Sequence, residues 1–171
     1  LSSRELKARH ALLLSQALDK NFIDLQSDSI IAPAVKFFEK SGDREALFKA
    51  YYYHARVLSN AGRYTEAMQI YLKAEEMSAK VNDLFAVGLL HSQIGGLNSM
   101  YFNYPKAIEY YQKAQEYYRQ AGKDTHAHVC DLNLAQAYYE NGQKEKGIAL
   151  YRDCLEWAHS VGYEAIFESC L

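Results

Sequence analysis

The sequence predicts an all-α array of about four helix-turn-helix pairs, and three observations point that way. Apolar residues recur at three- and four-residue steps, as in Ala67, Ile70, Tyr71 and Ala74, which is the spacing of one helix face and not the alternation of a strand. Gly62, Tyr64, Ala67, Tyr71 and Ala74 return after forty residues as Phe102, Tyr104, Ala107, Tyr111 and Ala114, and after forty more as Gly142, Lys144, Gly147, Tyr151 and Cys154. The same period superposes Gly42, Asn82, Gly122 and Gly162, residue types that tolerate the left-handed conformation closing a helix. Self-similarity at a period of this length is the signature of stacked supersecondary units.

Taken in order, residues 1–43 form a divergent helical pair that caps the array. Ser2 and Glu5 make a capping box opening a helix through about Lys20, because a serine hydroxyl accepts from an amide of the first turn. Asp28 opens a second helix carrying Phe37 and Phe38, with Pro33 moving its start later or bending it. Residues 44–162 hold three repeats. Their first helices start after Asp43, after Asp83 and after the Asp124-Thr125 pair, all good capping types, and run to turns around Gly62, Phe102 and Gly142. Their second helices start near Thr65, Pro105 and Glu145 and end at the superposed Gly and Asn positions. Ala55, Gly95 and Ala135 face Ala67, Ala107 and Gly147 and let the two backbones approach, while Tyr71, Tyr111 and Tyr151 fill the space between pairs. Residues 163–171 read as the start of a further first helix.

Composition narrows the function. The 171 residues are 49% hydrophobic, 23% charged and 13% aromatic, a globular balance. With 19 basic against 21 acidic residues and a net charge of -2, the chain lacks the positive excess that phosphate backbones demand, so nucleic acid is not an expected partner. No apolar run approaches the roughly 18 to 20 residues of a membrane span. The three cysteines, Cys130, Cys154 and Cys170, lack pairing or zinc-ribbon spacing and read as free thiols, Cys154 as a small core residue. His126 and Cys130 share a helical face while His128 points elsewhere, too few ligands for a metal. Most of the fifteen tyrosines fall at core positions. No phosphate loop, nucleophile elbow or zinc-protease motif is present, so neither catalysis, a cofactor nor a metal is expected.

The small residue of each first helix (Ala55, Gly95, Ala135), the Gly-x-Tyr turn at Gly62 and Tyr64, and the following Ala67, Tyr71 and Ala74 resemble the tetratricopeptide repeat (TPR) family. The resemblance covers about residues 44 to 162, with a period of forty against the family's usual value of about 34. It implies a right-handed superhelix (α-solenoid) whose first helices line a concave groove, acting as a non-catalytic module that binds a protein or an extended or helical peptide. Carried across residue by residue, the groove positions are Lys49, Tyr52, Arg56, Ser59 and Asn60 in the first repeat, Ser92, Gly96 and Ser99 in the second, and Leu132, Asn133, Gln136 and Tyr139 in the third. Only Lys49 and Arg56 are basic, so the clamp that holds a C-terminal carboxylate in chaperone-binding members is not expected. Gly96 has no packing reason to be glycine: either the helix simply tolerates it, which is the default, or a ligand backbone approaches closely there.

Long-period arrays of this kind resemble those of bacterial regulatory and sensory proteins. A signalling scaffold or transcriptional regulator follows as the expected parent, with this segment its cytoplasmic or periplasmic part. The alternative is a structural array that mediates self-association or packs against an output domain. Ala165, Ile166, Phe167, Cys170 and Leu171, next to Leu150, Leu155 and Trp157, predict an apolar C-terminal end through which the chain forms a homo-oligomer.

Overall fold

The computed structural model describes residues 2–163, and among these there are eight α-helices and no strands. They are α1 (Ser3–Lys20), α2 (Ala32–Ser41), α3 (Arg44–Asn60), α4 (Tyr64–Ser78), α5 (Leu84–Met100), α6 (Tyr104–Gln120), α7 (Asp124–Glu140) and α8 (Lys144–Val161). From α3 onward each helix starts twenty residues after the last, so the forty-residue sequence period is one helical pair. None of these helices is long and apolar enough to cross a membrane. The further helix expected beyond Tyr163, with Ala165, Ile166, Phe167, Cys170 and Leu171 of the expected apolar C-terminal end, lies outside the described residues; Leu150, Leu155 and Trp157 on α8 are half-buried. The chain forms two compact units, one up to Asp83 and one from Leu84.

In the first unit α1 begins as its capping box predicts, with the Glu5 amide donating to Ser2 Oγ at 3.2 Å. The second helix starts at Ala32 and not at Asp28, because Pro33 is suited to the first turn, where its missing amide proton is not needed. Asp28 is used otherwise: its carbonyl accepts from the Ala32 amide at 2.8 Å, and its carboxylate lies 3.4 Å from His54 Nε2 and 3.7 Å from Arg63. Asp43 caps α3 through the Ala46 amide at 3.0 Å. Ile31, Phe38, Phe48 and Tyr71 form the fully buried centre. Helix α4 stops at Ser78, so Asn82 does not close it in a left-handed turn; its amide instead donates to Glu45 at 2.7 Å. Gly42 does take that conformation, at φ 78°.

In the second unit each of α5 to α8 packs against the next. The glycines show how closely. A Cβ on Gly95 would stand 2.8 Å from the Tyr111 ring, and one on Gly147 2.7 Å from the Ala135 carbonyl oxygen, so the sequence reading of these small residues holds. Gly88 has the same reason, with the Tyr118 ring at 2.8 Å, although its sequence context does not announce it. Tyr111 and Tyr118 join Cys130, Leu134 and Tyr138 in the core, and Cys130 and Cys154 are buried free thiols. Helix α7 starts at Asp124 with Lys123 in the capping position and no side-chain cap, so the Asp124-Thr125 pair lies inside the helix. One carboxylate is buried here: Asp131 accepts from Gln115 and lies 3.6 Å from His128 and 3.7 Å from Arg119. Burial nevertheless holds its pKa above the ordinary value.

Candidate functional site

The five groove positions of α3 are committed within the first unit. Lys49 pairs with Asp83 at 2.8 Å. Arg56 donates through Nε to Asp19 of α1 at 2.9 Å, and Asn60 donates to Asp24 at 3.0 Å. The Ser59 hydroxyl is buried beside Tyr71. Tyr52 is only 4% exposed and packs edge-on against Tyr53, with ring centroids 5.0 Å apart; it is a core residue and not an exposed platform. The N-terminal pair supplies the reason, because Asp19, Asp24 and Asp28 all come from α1 and the segment after it and turn toward α3 or Arg63. Of the two bases that could have met a ligand carboxylate, Arg56 is thereby paired with Asp19, while Lys49 is paired with Asp83 at the end of the unit.

The second unit keeps an open face. Ser99, Met100, Phe102, Tyr104 and Tyr111 on one side, with Asn133, Gln136 and Glu140 of α7 on the other, line a cleft of about 460 Å³. Ser99 is hydrogen-bonded to the Tyr111 hydroxyl and Ser92 to that of Tyr118, which fixes both tyrosines. Asn133 and Gln136 are exposed, so their amides can pair with a peptide backbone. Ser99, Asn133 and Gln136 are thus brought together, whereas Ser92, Gly96, Leu132 and Tyr139 do not line this cleft. A Cβ on Gly96 would meet only the Tyr111 hydroxyl, at 3.7 Å, so there is free space above that turn. Tyr139 is 40% exposed, with the Lys144 ammonium 5.3 Å from its ring centroid. Glu140 is the one charged residue of the lining.

Phe102 is the feature that the sequence reading overlooks. It is 78% exposed and sits at φ 59°, in the left-handed region, a conformation costly for a bulky side chain. Its counterparts one period away are Gly62 at φ 74° and Gly142 at φ 79°, which adopt it freely. A phenylalanine standing where the repeat calls for glycine is the signal by which it could have been found. Met100, Tyr104 and Glu140 carry no such signal.

The histidines and Cys130 diverge. His126 packs edge-on against Phe85, with centroids 4.8 Å apart, and His128 stacks on Trp157 at 4.1 Å. Cys130 donates to the Tyr111 carbonyl at 3.3 Å, and burial raises its thiol pKa to about 12. Among the described residues no group of three or more His, Cys, Asp or Glu side chains is placed to hold a metal ion.

The tetratricopeptide repeat family model matches residues 48–81 and 132–159. Comparison with curated protein sequences gives no match. Among solved structures, the chain is similar to a Signal Transduction ATPase with Numerous Domains (STAND) protein with a tetratricopeptide repeat sensor, from Pyrococcus horikoshii. The identity is 21% and the TM-score 0.80, over 98% of this chain and 26% of that one. It is also similar to BtubC (BKLC) from P. vanneervenii, at 15% identity and a TM-score of 0.62, over 91% of this chain and 74% of that one. At these identities the likeness establishes the fold, an all-α solenoid, and the chain spans about a quarter of the STAND protein's length.

Proposed function

We propose, from the two segments that match the tetratricopeptide repeat family model, that the chain is a non-catalytic interaction module whose second unit captures an extended peptide in the cleft between Ser99 and Gln136. The observation that carries this reading is the cleft itself. Two exposed amides face an aromatic wall, and at its lip Phe102 is held in a conformation that its counterparts leave to glycine. Aromatic anchors beside hydrogen-bonding side chains suit an extended strand of peptide, with affinity from backbone pairing and selectivity from side-chain pockets. Glu140 as the lining's single charge favours a neutral or basic peptide over an acidic one. By likeness to the STAND protein's repeat sensor, we further propose that the module is the sensing or scaffolding part of a larger regulatory protein. A second reading, a structural array, is favoured for the first unit alone, where α3 is occupied by the chain's own N-terminal segment.

Selection from a phage-displayed library of random linear peptides tests the cleft. The selected peptides, synthesised with a fluorescent label, should bind with an anisotropy change that weakens about tenfold or more for Asn133→Ala/Gln136→Ala, the order expected of buried polar contacts at an interface. Peptides bound equally by parent and variant would overturn the assignment of this cleft.

A further inference from the structure

At the N-terminal pair, α1 and α2 enclose a separate cleft of about 590 Å³. Ala8, Pro33 and Phe37 contribute its apolar surface, and its rims are basic on both sides: Arg4 and Lys7 from α1, Lys36 and Lys40 from α2. The two members of each rim stand three or four residues apart, so each pair lies on one face of its helix. Among the described residues none of the four has a carboxylate partner. Nearby carboxylates are engaged elsewhere: Glu5 and Asp43 both pair with Arg9 at 3.0 Å, and Glu39 accepts from the Tyr51 hydroxyl at 2.9 Å. In a chain of net charge -2, four unneutralised cations around one apolar cleft are a local positive excess.

We propose that this cleft binds an acidic amphipathic helix of a partner protein. The apolar stripe of that helix would lie on Ala8, Pro33 and Phe37, with its flanking carboxylates against the two basic rims. Charge complementarity selects the occupant. A fatty acid offers one carboxylate to four cations, a bilayer surface presents a plane and not a ridge to a two-walled cleft, and a nucleic acid has no apolar stripe. A helix with acidic residues on both flanks of a hydrophobic row meets every wall at once, in the helix-in-groove mode, and paired charges of this kind chiefly set orientation and encounter rate.

The probe is a labelled synthetic peptide with leucines at i, i+3, i+4 and i+7 and glutamates on both flanks; its control carries lysines for the glutamates. Anisotropy should show binding of the glutamate peptide, no binding of the lysine peptide, and loss of affinity as salt rises. Arg4→Glu/Lys36→Glu should weaken the glutamate peptide at least tenfold, as should the neutralising Lys36→Gln/Lys40→Gln; all three positions are exposed, and circular dichroism will show that the helices persist. Gln136→Ala, in the other unit, should leave this binding unchanged, which separates the outcome from that of the proposed peptide cleft. Equal binding of the two peptides, insensitivity to the charge variants, or co-sedimentation with phosphatidylserine vesicles by a chain that ignores the glutamate peptide would each overturn the proposal.

Discussion

Arg56 of α3 holds Asp19 of α1 by a 2.9 Å bond from Nε, with about a quarter of each side chain exposed. A groove position in the repeat register is thereby turned into a joint between the N-terminal pair and the first repeat. Arg9 with Asp43 at 3.0 Å and Lys49 with Asp83 at 2.8 Å, one period apart, repeat the device nearer the surface. Exposed pairs of the latter kind contribute little. The Arg56 pair, partly withdrawn from water, contributes more, since losing one partner strands the other.

Arg56→Ala is therefore predicted to destabilise the chain by about 1 to 3 kcal/mol, the cost of leaving a partly buried charged group unpaired. Asp19→Ala should cost a similar amount and the double variant clearly less than the sum. A double-mutant cycle in chemical denaturant reads this as a coupling of about 1 kcal/mol or more. Additive effects would show that the bond is incidental to the joint.

Tyr71 is completely buried, its ring centroid 6.1 Å from that of Tyr52. Tyr71→Ala should cost roughly 3 to 5 kcal/mol, as for other large-to-small core changes. Its hydroxyl is buried without a well-formed hydrogen bond, so Tyr71→Phe should be tolerated to within about 1 kcal/mol. Denaturation midpoints that fell equally for both variants would mean that the hydroxyl, and not the ring, holds the site.

What the sequence announced and what it hid divide along a physical line. The helical period, the close-approach glycines Gly95 and Gly147 and the buried tyrosines are properties of one repeat against its neighbour, so they recur in the sequence and could be read from it. The start of α2 at Ala32, the fate of Asn82 and the burial of Tyr52 depend on which partner each group meets across the fold. Asp19 and Asp24 lie some thirty-six residues from the side chains they hold, and no local pattern links them. The cleft in the second unit was half visible: Ser99, Asn133 and Gln136 follow from the register, whereas Phe102 needed the observation that glycine is missing from its place.

His91 on α5 gives the stability a pH dependence. It is 4% exposed and stacks on Tyr117 with centroids 5.3 Å apart. Burial, helped by the Lys113 charge, lowers its pKa from 6.5 to about 4. Between those values the unfolded chain binds the proton and the folded one does not, so stability rises with pH across this window and is lost as pH falls. The loss between about pH 7 and about pH 5 should be on the order of 2 kcal/mol. Asp131, whose carboxyl is raised by burial, opposes this, since its contribution declines as pH rises. His91→Phe isolates the histidine's share: its midpoint in urea should change less between the two pH values than the parent's, and an unchanged slope would remove His91 from the account.

Phe102→Gly relieves the left-handed strain. Set against the extra chain entropy that glycine must lose, the gain should be about 0.5 to 1 kcal/mol of stability. If the side chain is kept for contact, the same variant should bind the peptides selected on the cleft less tightly. A variant that is more stable and binds as well as the parent would leave the phenylalanine without a role.

Gly88 and Gly96 stand two turns apart on α5 and separate packing from function within one helix. Each glycine costs a helix interior about 1 kcal/mol relative to alanine, so the surroundings decide the sign of each replacement. At Gly88 the new methyl would lie 2.8 Å from two carbons of the buried Tyr118 ring and 3.4 Å from the Ala114 carbonyl oxygen. That ring cannot move without disturbing the core around Cys130 and Leu134. Gly88→Ala should therefore destabilise by about 1 to 3 kcal/mol, as overpacking does. At Gly96 the nearest atom is the Tyr111 hydroxyl at 3.7 Å, an ordinary contact, so Gly96→Ala should stabilise by up to about 1 kcal/mol. Gly96 does not line the cleft, but it lies beside the hydroxyl of Tyr111, which does; if this glycine is kept for something outside the fold, that is where a ligand would approach. Anisotropy with the selected peptides, beside thermal melts of both variants, will decide: Gly96→Ala should melt higher and bind more weakly, and a variant that melts higher with unchanged binding would leave this glycine merely tolerated.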